Sequence, residues 1–246
     1  MNKNIVTPLA WDTEFFNINC GRLVIDNQNI DMKILSESLE DYDFVSIQNV
    51  NNDIGVNKKI AEYTKAFLVD VNVQFEKKLA IVEEKYRDDE FVIFNAADVT
   101  DELFSQMIVE ESDFAYSKFV CDPGLKKKKG FLVYKEWLNN ARKENNKFFI
   151  LLVDEGKVGA YILFSINDKV GTIELVKVNN EFKGKHIATH MVKKIEEYMS
   201  NNGVDYLRVG TQLNNIPAMN LYHSLFFKEI SRTSVFHYWG TEAKED

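Results

Sequence analysis

The densest run of chemically useful residues lies between Val176 and Ala188. It reads as the end of a strand (Val176, Lys177, Val178), a turn (Lys183, Gly184, Lys185, His186) and the opening of a helix (Ile187, Ala188). A helix start offers unpaired N–H groups and the positive end of the helix dipole, and the two lysines add charge, so the segment suits a phosphate or pyrophosphate. The same spacing also fits a solvent-facing turn with one glycine and two hydrated lysines. His186 and His190 stand four residues apart, as two metal ligands on one helix face do, but the glutamate of H-E-x-x-H and a third ligand are missing, so no metal is expected. Lys126 to Lys129 form a basic run in a loop, read as a solvated face. No GxGxxG, GxxxxGK[ST] or GxSxG occurs, which removes dinucleotide, P-loop and serine-hydrolase chemistry.

The elements that must carry these residues follow from periodicity. Strands are expected at Phe148–Val153, Val158–Ile166 and Gly171–Val178, joined by turns at Asp154–Lys157 and Asn167–Lys169. Ile187–Met199 repeats apolar residues at helical spacing and Gly203 is placed to end it. A strand at Tyr206–Thr211, a short helix at Ile216–Leu225, and strands near Phe227–Ile230 and Ser234–Tyr238 follow. Two helices, Thr100–Ser112 and Gly130–Glu144, precede the strands, giving the order ααβββαβαββ of an α+β unit. Upstream, Phe44–Val50 and the alternating Phe67–Phe75 read as strands around a helix at Lys58–Ala66. A charged stretch, Glu83–Glu90, separates the two parts, and the boundary is expected near Val92–Asp98.

With 30 Lys+Arg against 38 Asp+Glu, the 246-residue chain carries a net charge of -8, which disfavours a general nucleic-acid or membrane-surface binder. Cys20 and Cys121 form no CxxC, so neither a disulfide framework nor a thiolate metal site is indicated. The first eleven residues lack the apolar core of a signal peptide and the longest apolar run is far too short to span a bilayer, which leads to the expectation of a cytoplasmic, soluble protein.

Asn215, Ala218 and Tyr222, in the order N-x-x-A-x-x-x-Y, together with Lys183 to Ala188, resemble the GNAT acyltransferase superfamily. Its R/Q-x-x-G-x-G/A turn reads here Lys183, Gly184, Lys185, His186, Ile187, Ala188, with lysine for Arg/Gln and His186 where glycine is usual. Trp11, Asp12, Thr13, Glu14, Phe15 and Phe16 are similar to the WDxxFF opening of the dTDP-fucosamine acetyltransferase branch, as are Ser117, Lys118 and Phe119 and the pair Tyr134 and Trp137 to further stretches of it.

The resemblance implies a GNAT fold: a mixed, mostly antiparallel sheet flanked by helices, with a degenerate N-terminal GNAT-like domain over residues 1–95 and an acetyl-CoA-binding domain over residues 96–246. It implies acetyl-CoA as cosubstrate, held by Val176, Lys177 and Val178, by Lys183 to Ala188 and by Asn215. Tyr222 is the implied general acid and Glu174 the implied base; each also has a plain structural reading, as core aromatic, N-cap (Asn215) or strand carboxylate. The implied acceptor is a small-molecule nucleotide sugar, a dTDP-linked 4-amino-4,6-dideoxyhexose of cell-surface polysaccharide synthesis, with no nucleic-acid or membrane partner and a homodimer as one assembly. Acetylation of a protein or another small amine, or a non-catalytic acyl-CoA sensor, are the alternatives.

Overall fold

The period-2 and 3.6-residue patterns become ten strands and nine helices in the computed structural model, which describes residues 6–26, 31–80, 91–107 and 109–240. The N-terminal part contains β1 (Thr7–Pro8), α1 (Ala10–Phe16), β2 (Cys20–Ile25), α2 (Met32–Leu39), β3 (Phe44–Asn49), α3 (Ile54–Tyr63) and β4 (Phe67–Lys78). Then come β5 (Phe91–Asn95), α4 (Asp101–Ser105), α5 (Lys118–Cys121), α6 (Pro123–Lys127), α7 (Leu132–Ala141), β6 (Lys147–Asp154), β7 (Lys157–Asn167) and β8 (Val170–Val178). The chain continues through α8 (Ile187–Asn201), β9 (Tyr206–Gln212), α9 (Ile216–Ser224) and β10 (Lys228–Trp239). The charged stretch at Glu83–Glu90 lies outside the described residues.

Local chemistry accounts for many of the boundaries. Asp31, Asp53, Asp122 and Asn215 each sit at an N-cap and accept backbone N–H groups of α2, α3, α6 and α9. Glu155 and Gly156, between β6 and β7, both have positive φ, the requirement of a two-residue type I′ hairpin turn.

All ten strands join in one sheet, in the order β1-β2-β3-β10-β4-β9-β8-β7-β6-β5. Only β2–β3 and β8–β9 are parallel; the rest pair antiparallel, as a mixed, mostly antiparallel sheet requires. β4 lies between β9 and β10, so the N-terminal part contributes a central strand to the sheet that also carries β6 to β9. β5, at the far edge, pairs with β6. Alternate residues of β6 divide between the two faces: Ile150 and Leu152 join Met191, Ile195 and Tyr222 under α8 and α9, whereas Phe149 and Leu151 join Tyr134 and Leu138 under α7. A third cluster, built on Leu35, Leu39, Ile47 and Ile60, packs α2 and α3 on the N-terminal strands.

Three expectations are corrected. The helix expected over Thr100–Ser112 is only α4, followed by a 3₁₀ turn at Glu111–Phe114. Thr100 caps α4, but Gln106 is held by tertiary bonds, its Oε1 accepting from Val158 N at 3.0 Å, and the chain leaves the helix there. The lysine run is not a loop: Asp122 caps a helix with Pro123 at its first turn, and Lys126 and Lys127 lie within α6. The two C-terminal strands are one, because β10 pairs with β4 from Lys228 to His237 and absorbs the polar interruption as register shifts between Glu229 and Ser231 and between Val235 and Phe236.

Candidate functional site

The sheet opens at one place. β8 and β9 pair in parallel from Val170↔Tyr206 to Ile173↔Val209, and there the ladder ends. Both strands continue: β8 to Val178 on the β7 side, β9 to Gln212 on the β4 side. The register shift between Leu163 and Phe164 leaves Glu174 as the extra residue of β8, so a bulge bends the strand where the two diverge. Val176, Lys177 and Val178 therefore line one arm of a fork, their β9-facing edge outside the β8–β9 ladder. Backbone groups on such an edge can bind an extended ligand arm as an added strand would.

The arm leads into the phosphate-like turn. Asn179 anchors it, with its N–H on Gly159 O at 2.9 Å and its side-chain Nδ2 on Val158 O at 2.8 Å, and Phe182 seats against Gly159. Lys183, Gly184, Lys185 and His186 are all exposed. Gly184 has φ +78 and His186 φ +59, so two of three consecutive residues are left-handed. His186 is the N-cap of the 15-residue α8 and makes no side-chain cap hydrogen bond, so its own side chain does not cap the first-turn N–H groups. Histidine tolerates the left-handed region better than most residues, which explains how it stands where glycine is usual. Lys185 Nζ lies 5.2 Å from the centre of the Phe182 ring. An exposed, uncapped helix start with flanking lysines fits a pyrophosphate.

Tyr222 and Glu174 lie on opposite faces of the fork. Tyr222, on α9, is buried with its ring 5.7 Å from those of Phe75 and Phe227, and burial raises its phenol well above the usual range, so it stays protonated at neutral pH. Asn215 starts that helix, its Oδ1 accepting from Ala218 N at 3.3 Å. Glu174 faces α7: one oxygen is 2.5 Å from Lys147 Nζ and the other accepts from Trp137 Nε1 at 2.9 Å. Lys177 is likewise engaged, 2.7 Å from Asp113.

A second polar place was missed in the sequence. A cavity of about 170 Å³ lies over β2, β3 and β10, lined in part by Asp12, Arg22, Ser46, Gln48, Lys118 and His237. Asp12 belongs to the WDTEFF stretch, whose Phe16 is core while Trp11 is exposed and stacks on Phe15 at 4.8 Å. Ser117 accepts from Tyr134 Oη at 2.6 Å, which holds the neighbouring Lys118 over the cavity. Burial lowers the Lys118 ammonium against the opposing fields of Asp12 and Asp70; burial also raises Asp12, and raises Asp70 to about 6. One signal could have found the cavity: His237 is a single imidazole in a strand end otherwise made of apolar and aromatic residues, Val235-Phe-His-Tyr-Trp239.

Residues 107–226 match the family model described as "Acetyltransferase (GNAT) family". Over 132 residues the chain is 28% identical to the spore coat polysaccharide biosynthesis protein SpsD of Bacillus subtilis, a match that covers 53% of this chain and 46% of SpsD, so the chain spans about half of that relative. A GCN5-related N-acetyltransferase from Sphaerobacter thermophilus superposes with a TM-score of 0.55 at 12% identity, covering 80% of this chain and 59% of that one. A functionally unknown conserved protein from Staphylococcus epidermidis does so with 0.63 at 12% identity, covering 90% and 85%. At such identities the structures speak to the fold alone. The forked sheet and the turn that opens α8 lie within the stretch, residues 107–226, that is similar to the GNAT acetyltransferase family.

Proposed function

We propose that this chain is an N-acetyltransferase that moves an acetyl group from acetyl-CoA to the amine of a dTDP-linked 4-amino-4,6-dideoxyhexose, as dTDP-fucosamine acetyltransferase does. The observation that carries the transferase reading is the fork: a parallel ladder that stops at Ile173/Val209 and leads directly to the uncapped start of α8. In this reading the backbone of Val176 and Val178 binds the pantetheine arm, while Lys183, Lys185, His186 and the N–H groups of Ile187 and Ala188 bind the pyrophosphate. Acetyl-CoA supplies the thioester. Tyr222 gives its phenolic proton to the departing sulfur, with Asn215 fixing the start of the helix that carries it. Glu174 takes the proton of the attacking amine, directly or through water, with Lys147 as its counter-ion. Residues 1–95 act as the degenerate unit that shapes the acceptor side, and residues 96–246 as the acetyl-CoA-binding unit.

The nucleotide-sugar choice is supported by the WDTEFF stretch and by the likeness to SpsD, whose name places it in spore coat polysaccharide biosynthesis. The test offers purified protein acetyl-CoA with dTDP-aminosugars, free aminosugars, peptides and polyamines, following thiol release and product masses. The dTDP conjugate should react with the highest kcat/KM, because its remote contacts orient the amine. Equal kcat/KM for peptides would overturn the acceptor; no binding of millimolar acetyl-CoA by calorimetry would overturn the transferase.

A further inference from the structure

Arg22, Ser46 and His237 stand in one row across three strands, since Arg22 pairs with Ser46 and Ser46 with His237. Residues paired across strands share a face, so their side chains form a continuous polar floor, which Gln48 extends two residues along β3. Asp12 from α1 and Lys118 from α5 close it from above, and Phe44 and Phe119 add apolar wall.

Two polar atoms of this floor have no partner among the described residues. His237 is fully buried, and its Nδ1 lies 2.6 Å from Asp122 Oδ2, which also accepts from Trp239 Nε1 at 3.0 Å. Burial works to raise the Asp122 carboxyl, but the bonds from His237 and Trp239 outweigh it and hold the group below the usual range; burial also keeps the imidazole neutral. An ionised carboxylate only accepts, so Nδ1 carries the proton and Nε2 is left with a lone pair. That Nε2 is buried and unpartnered, and so is Ser46 Oγ. Unmet buried polar atoms are expensive, and a ligand that meets them gains accordingly.

We propose that this cavity is a saccharide pocket that takes one polyhydroxylated ring, with a ligand hydroxyl donating to Nε2 of His237 and another bonding Ser46 Oγ. The floor and roof mix acceptors (Nε2, Asp12), donors (Lys118, Arg22) and groups that do both (Ser46, Gln48), a pattern that hydroxyls, each donor and acceptor, satisfy together. A phosphate is an anion and would face the Asp12 carboxyl; an apolar ligand would leave His237 Nε2 and Ser46 Oγ unpaired. The cavity, about 170 Å³, is below the ~300 Å³ at which drug-sized pockets begin, which suits one ring rather than a longer saccharide. The pocket is distinct from the fork: His237 opposes Phe67 of β4, whereas the fork at Val209 opposes Phe75. Eight residues of strand at ~3.3 Å each put roughly 25 Å between them. The ring held there is recognised rather than acetylated.

Calorimetry of the full chain without acetyl-CoA tests this with galactose, fucose, N-acetylglucosamine and myo-inositol as free ligands, UDP-galactose and lactose as linked ones, and inorganic phosphate as the anion. At least one saccharide should bind saturably, and Ser46→Ala should weaken it roughly three- to tenfold, one hydrogen bond, without lowering Tm. Binding by free sugars identifies an effector pocket; binding only by linked sugars identifies a subsite for the far end of a longer acceptor. Failure of every saccharide to saturate, phosphate binding in their place, or unchanged affinity in Ser46→Ala overturns the proposal. Because acetyl-CoA is absent, that failure leaves the transferase reading standing.

Discussion

Replacing Gly184 with alanine isolates what the turn before α8 does. The backbone there has φ +78, and a Cβ built on it meets nothing within 4 Å, so no clash contributes and the whole effect is conformational. Holding an L-residue in the left-handed region costs about 1–2 kcal/mol. For a chain of this length that lowers Tm by roughly 2–4 °C per kcal/mol. If the variant relaxes the turn, acetyl-CoA must restore it on binding, and 1–2 kcal/mol becomes a roughly 5- to 30-fold rise in Kd. Gly203 at the other end of the same helix is the control: it has φ +74, and its added Cβ meets only Lys169 Nζ at 3.6 Å. Gly203→Ala should lose similar stability yet keep wild-type affinity. Urea denaturation and calorimetry with acetyl-CoA on all three proteins read both quantities. If Gly184→Ala keeps both its Tm and its Kd, so that the turn has relaxed without cost to binding, or both variants lose affinity alike, the turn is not a backbone cradle.

Tyr222→Phe should lower kcat about 100-fold, the low end for a general acid, with the Kd for acetyl-CoA and Tm nearly unchanged because the ring still packs on Phe75 and Phe227; steady-state kinetics and thermal melts on one preparation separate this from a core role. Glu174→Gln keeps an acceptor for Trp137, so a loss of kcat with preserved Tm marks a base, and a loss of Tm with preserved kcat marks an anchor for Lys147. Burial holds Asp70 at about 6 in the native state against 3.8 for an unperturbed aspartate, so between pH 4 and 6 the folded chain binds more protons than the unfolded one and stability falls as pH rises. Asp70→Asn should remove that slope and stabilise the protein at pH 7.5 by at most about 3 kcal/mol, read from urea midpoints at pH 4.5 and 7.5. Of the two thiols, exposed Cys121 should react with a chromogenic disulfide in the native protein, whereas Cys20, buried and pushed up to about 12, should react only after unfolding.

The second half of the chain was the more legible because its signals are local. The turn at Asp154–Lys157, the helical spacing after Ile187 and the stop at Gly203 each act within a few residues, and β6, β7, β8 and α8 appear where those signals put them. In β10, Ser231 to Ser234 break the apolar run into what reads as two strands, and only its partner β4, 159 residues away at Val73↔Arg232, shows that the interruption is a bulge. The helix that starts after Thr100 is shorter than its spacing predicts for a similar reason, since the Gln106 side chain is engaged by Val158 at the start of β7. Of the site, the turn and Tyr222 stood in short motifs. The Asp122–His237 pair did not, because its members are 115 residues apart and meet only through the sheet.

β4 hydrogen-bonds to β9 on one side and β10 on the other. During synthesis, therefore, a twelve-residue strand rich in Val and Phe leaves the ribosome long before either partner exists. About 160 residues separate its last position from the last of β10, which at 5–20 residues per second is a wait of roughly 8–30 s. Until then its backbone edges and apolar face are available to any other chain, the circumstance in which strand edges seed aggregates. Yield at high expression should thus depend on temperature and on chaperone supply more than the stability of the finished sheet suggests. The nascent chain, rather than the native protein, is the vulnerable species.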